Sequence, residues 1–141
     1  MSGTSSTRSG GCHCGAVRFE VTLSGDLAGV RRCTCSFCRM RGAVVVPAGA
    51  GGVRIERGED SLTRYRFNTG VAEHFFCRHC GIYTHHKRRS DPGQHAVNVA
   101  CLDGISPFDF PAVPVMDGIN HPNDSGGPER LAGTLHFVPA D

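Results

Sequence analysis

The chain has 141 residues, which suits a single domain, and a hydrophobic content of 39% allows a modest core. Tryptophan is absent and aromatic residues are 7%, while 19 glycines and 8 prolines point to many turns, so a stapled fold is expected. A formal net charge of +2 argues against binding that rests on phosphate neutralisation, and no apolar run is long enough to cross a bilayer.

In chain order, residues 1–10 ("MSGTSSTRSG") are polar and lack the apolar stretch of a secretory signal, so a flexible tail is expected there. Residues 11–141 are expected to form one domain of a cytoplasmic protein whose thiols stay reduced. "AVRFEV" alternates Val17, Phe19 and Val21 with Arg18 and Glu20, which predicts a half-buried strand. "AVVV" (43–46), closed by Pro47, then "VRIE" (53–56) and "LTRYRF" (62–67) predict further strands. "EHFF" leads into a cysteine pair, and "IYTHHK" and "HAVNVACL" predict two strands joined by a turn at Asp91-Pro92-Gly93. Residues 103–130 show no clear period and predict a long loop that covers a site, before a last strand in "TLHFV". No stretch shows a sustained helical face with caps, so a mainly β domain with little helix is expected.

Seven of the 8 cysteines fall into three tight groups: Cys12 and Cys14; Cys33, Cys35 and Cys38; Cys77 and Cys80. Such groups in a reducing compartment read as metal ligands rather than disulfides. Gly15 and Gly81 each follow a pair and ease the backbone's bend over an ion. Cys12, Cys14, Cys77 and Cys80 therefore form a closed four-thiolate site, tying the N-terminal strand to the middle of the chain. Cys33, Cys35 and Cys38 are left with three sulfurs, the pattern of a metal site with an open fourth position. A closed site completed by His85, His86, His95 or His121 is the alternative. A redox dithiol at Cys35 and Cys38 lacks the helix that such a pair usually opens. Cys101, at the end of an apolar strand, reads as a buried structural thiol.

Together "GGCHCGAVRFEV", "CTCSFCR", "FFCRHCGIYTHH" and "HAVNVACLDG", with a weaker echo in "MDGINHP", resemble the glutathione-dependent formaldehyde-activating enzyme family, which includes the centromere-protein-V-like proteins. The resemblance implies a small antiparallel β-tent fold with two zinc ions per chain. It assigns Cys12, Cys14, Cys77 and Cys80 to a structural zinc and Cys33, Cys35 and Cys38 to a catalytic one. Tetrahedral thiolate sites also accept iron, and zinc is chosen on the resemblance. The implied activity is that of a carbon–sulfur lyase or synthase, joining glutathione reversibly to formaldehyde.

An enzyme of this kind takes a small-molecule thiol and an aldehyde as partners. Arg31, Arg32, Arg39 and Arg41 flank the three-cysteine loop and are the candidates for holding substrate carboxylates, with His86, Asp117 and His121 as further pocket candidates. The other reading is a non-catalytic, zinc-stabilised module for protein or nucleic acid, favoured by the basic run Lys87, Arg88 and Arg89. Low net charge and few aromatics count against nucleic acid.

Overall fold

A computed structural model describes residues 5–49, 52–67, 69–88, 93–119 and 128–141. The domain is mainly β, with eleven strands among these residues arranged in three small sheets. The first sheet has the order β1-β2-β5, from Ser5–Gly11, Arg18–Ser24 and Val53–Arg57. A five-stranded sheet runs β4-β9-β8-β7-β6, from Val45–Pro47, His95–Asn98, Tyr83–Lys87, Glu73–Cys77 and Leu62–Tyr65. The third has the order β11-β10-β3, from Leu131–His136, Ala112–Met116 and Arg32–Cys33.

The core lies between the first two sheets. Phe19, Val21 and Leu23 of β2 are fully buried against Val46, Val97 and Val99, which accounts for the alternation read in the sequence. No helix among the described residues is long and apolar enough to cross a membrane.

Three segments differ from the sequence expectations. Ser5–Gly11 is a strand, not a flexible tail, and pairs antiparallel with β2 from Ser5↔Ser24 to Gly11↔Arg18. Its Gly/Ser composition has low strand propensity, but the strand passes a crowded place. A side chain at Gly10 would stand 2.5 Å from the Cys101 carbonyl oxygen and 2.9 Å from the Phe19 ring. Arg8 pins the strand further, donating to both Asp26 carboxylate oxygens at 2.7 and 2.8 Å, and Ser6 donates to one of them at 2.8 Å. These bonds, Arg8 first, hold the Asp26 carboxyl down at about 2.

Inside the segment expected to be a loop, β10 forms the centre of the third sheet. Pro114 hid it, because proline cannot donate to a ladder and argues against a central strand. Asp91 and Pro92 of the expected turn lie outside the described residues.

The third difference is a six-residue helix, α1, at Ser36–Arg41. It is too short to show a period. Its N-cap is Cys35, whose sulfur accepts from the Cys38 N–H at 3.3 Å, and its C-cap is Gly42 at φ 73°. A sulfur cap falls outside the usual Ser, Thr, Asp and Asn signal.

Candidate metal centres and the adjoining cavity

The two outer cysteine groups are built alike. Cys12 opens the turn after β1, where its carbonyl accepts from Gly15 N–H at 3.2 Å; Cys77 ends β7, where its carbonyl accepts from Gly81 N–H at 2.8 Å. Gly15 and Gly81 adopt φ 82° and 77°, and a side chain at either would touch nothing within 4 Å. The glycines are there for backbone conformation, as the spacing suggested. Each knuckle also aims an N–H at a sulfur: Val17 at Cys12 Sγ (3.3 Å) and His79 at Cys77 Sγ (3.4 Å).

The four sulfurs lie within 4.8 Å of one another, with Cys12–Cys14 at 3.6 Å and Cys14–Cys77 at 3.7 Å. A disulfide needs about 2.05 Å, so no bond joins them. A tetrahedral ion with metal–sulfur bonds of about 2.3 Å sets its sulfurs nearly this far apart. The donor set therefore fits a divalent ion.

Cys33, Cys35 and Cys38 form the second cluster, also within 4.8 Å. Cys33 leaves β3, Cys35 caps α1, and Cys38 lies one turn on. Cys33 Sγ accepts from Cys35 N–H at 3.4 Å, and Cys38 Sγ from Arg41 Nη2 at 3.4 Å. The loop is held from behind by β10, which runs parallel to β3 with Met116 opposite Cys33. Thr34 N–H donates to the Met116 carbonyl, and Gly118 N–H to Thr34 Oγ1, both at 3.0 Å.

No histidine joins the second cluster among the described residues. His85 faces inward, stacked on Phe75 at 4.6 Å and hydrogen-bonded to Thr84 Oγ1 at 2.8 Å. His95 lies beside His85, with ring centroids 6.1 Å apart. His86 takes the opposite face of β8, while His121 lies outside the described residues.

A cavity of about 410 Å³ opens beside the three sulfurs, and all three line it. Arg31, Arg32, Arg41, His86 and Asp117 are all brought to its wall. Arg39 is not: it is exposed on α1 and outside the cavity. Of the basic run, Lys87 stands 4.0 Å from Glu73, Arg88 lines the cavity, and Arg89 lies outside the described residues. Lys87 and Arg88 thus do not share one outward basic face.

Several cavity residues carry no signal in the sequence. His74 pairs with His86 across β7 and β8, and the two rings stack at 5.1 Å. Burial, then the nearby Arg41 charge, lowers His74 to about 4, and burial puts His86 well below its ordinary range. Both imidazoles are therefore neutral near pH 7. Arg41 Nη1 meets His74 Nδ1 at 2.9 Å; a guanidinium can only donate, so the His74 proton is on Nε2. Tyr83 Oη meets His86 Nδ1 at 2.5 Å, and burial keeps that phenol protonated. At the rim, Glu129 pairs with Arg31 at 3.2 Å and Arg88 at 3.5 Å. Alternation in "EHFF" was the one available clue, since it sets His74 opposite in face to Phe75.

A model of the family described as glutathione-dependent formaldehyde-activating enzyme matches residues 7–114. The structure is also similar to the crystal structure of a Rhodobacter sphaeroides protein, a structural genomics target. That likeness has a TM-score of 0.73 and 53% sequence identity, covering 76% of this chain and 98% of that one.

Proposed function

The chain belongs to the glutathione-dependent formaldehyde-activating enzyme family, and on that premise we propose that it is a zinc-dependent carbon–sulfur lyase or synthase. It joins a glutathione-like thiol to a formaldehyde-like aldehyde, reversibly, to give an S-hydroxymethyl adduct. The observation that carries this reading is the three-sulfur cluster that opens onto a cavity lined by guanidinium groups. A zinc ion held by Cys33, Cys35 and Cys38 would supply an open position able to hold an incoming thiol as its thiolate. Cys12, Cys14, Cys77 and Cys80 would hold a second, structural zinc.

The chain's own residues orient the thiol. Arg31, Arg32 and Arg88 line the wall and suit the carboxylates of a glutathione-like molecule, because a planar fork matches a carboxylate in two bonds. Glu129 occupies two of these guanidinium groups, and an incoming carboxylate would compete with it. Val45, Pro47 and Phe67 supply apolar wall that limits water around the reacting sulfur.

In the forward direction the sulfur lone pair forms the carbon–sulfur bond and the carbonyl pair moves to oxygen. The thiol has lost one proton and the new hydroxyl gains one, so no other reagent is consumed. Neutral His86, at the cavity wall, is suited to pass that proton.

The test is adduct formation by zinc-loaded protein with glutathione and formaldehyde. A rate above the uncatalysed reaction is expected, with an esterified glutathione raising KM more than it lowers kcat. No acceleration with any of a range of thiols would sink the proposal.

A further inference from the structure

Arg41 ends α1, three residues after Cys38, so the two side chains share a face of the helix. Its guanidinium carbon lies 3.7 Å from the centroid of the Tyr83 ring and 4.8 Å from that of Phe37. One nitrogen donates to His74 Nδ1 and another to Cys38 Sγ, while Nε is buried with no partner among the described residues. No carboxylate pairs with Arg41 among those residues either.

A guanidinium with its Nε buried and unpartnered is stabilised by a neighbouring counter-charge. The anionic group in contact with it is the cysteine cluster. A divalent ion with three thiolates carries a single net negative charge, which one guanidinium balances. Arg41 differs in this from Arg31, which faces a carboxylate at the rim.

We propose that Arg41 is the positioning residue of the three-cysteine site: it balances the thiolate charge through Cys38 and fixes His74 in one tautomer, linking the metal ligands to the stacked His74 and His86. Lysine cannot replace it, because a single ammonium on a flexible stem does not span both contacts in a fixed plane. The inference rests on reading Cys33, Cys35 and Cys38 as metal ligands, but not on any catalytic activity.

The experiment loads wild type, Arg41→Met and Arg41→Lys with cobalt(II) and records the sulfur-to-cobalt charge-transfer bands and cobalt loss to a chelator. Without the guanidinium the Cys38 sulfur is more electron-rich, so the band of the second site moves to lower energy in Arg41→Met. Its cobalt affinity falls by about 10- to 100-fold, as for other partners of metal ligands. The four-cysteine site keeps its affinity, which separates the effect from loss of fold, and Arg41→Lys falls between. Should Arg41→Met not fold, the lysine variant alone carries the comparison, and wild-type bands and affinity in it would count against the proposal. Two cobalt ions with unmoved bands and unchanged affinity in Arg41→Met would overturn the role of Arg41 alone. A wild type that binds only one cobalt would instead remove the reading of a second metal site, and this inference with it.

Discussion

Cys80→Ser is expected to unfold the domain, whereas Cys35→Ser leaves it folded and short of one metal ion. Cys80 packs beside Cys12, Val17 and Cys77 in a small apolar cluster between the start of β2 and the end of β7. Serine nearly matches cysteine in shape, so the damage is loss of a ligand rather than of packing. A structural thiolate site supplies free energy of about 10–16 kcal/mol in small zinc domains, while a whole domain is stable by about 5–15 kcal/mol. The site joins Cys12 and Cys14, beside the first sheet, to Cys77 and Cys80 at the end of β7, so its loss frees that junction. Cys35 lies in a loop already held by Met116 and Gly118, and its sulfur caps only a six-residue helix. Serine is itself a preferred N-cap, so the start of that helix is kept in the variant. Circular dichroism and a metal count on each variant check this, and equal unfolding by both would contradict the division into a structural and a functional site.

Gly118→Ala is expected to abolish the second metal site at little cost to the fold. A methyl group there would overlap Cys33 Sγ and stand 2.9 Å from both Cys35 N and Cys35 Cβ. No flexible side chain can swing away, because the nearest atoms belong to the ligand loop itself. The parallel pairing of Met116 with Cys33 and the Thr34 bonds prevent the two segments from simply separating. The loop must shift, taking Cys33 off position. A displacement of that size at a reacting centre costs about 100-fold in rate. Overpacking of one methyl costs about 1–3 kcal/mol of stability, so the variant should still fold. Metal content, adduct formation and thermal unfolding measured together decide it. A Gly118→Ala protein with two bound metals and wild-type activity would contradict the close approach of β10 and the cysteine loop.

Both cysteine clusters were legible because their signal is local: sulfurs at short spacing in each segment, with a glycine after each pair of the four-cysteine site. Strands β2, β5, β6, β8 and β9 were legible in the same way, since alternation is read within one segment. The cavity was not. Its wall joins Arg31, His74, Arg88, Gly118 and Glu129 from five separate segments, and no local pattern records that they meet. His74 illustrates the point, for its meaning depends on facing His86 across a strand pair and Arg41 across a helix. Arg39 lies outside the cavity for a related reason: nearness to the cysteines in sequence does not set which side of α1 a residue takes. Strand β1 was hidden because its stability comes from its neighbours, Phe19, Cys101 and Asp26, rather than from its own residues.

The central claim is that the three-cysteine site keeps one coordination position for a substrate sulfur. X-ray absorption at the zinc edge, on the two-zinc protein before and after addition of glutathione, tests it most directly. The account predicts that the sulfur count per zinc rises when the thiol is added, as a lighter ligand on the second ion gives way to sulfur. A histidine nitrogen completing that site, unchanged by thiol, would contradict it.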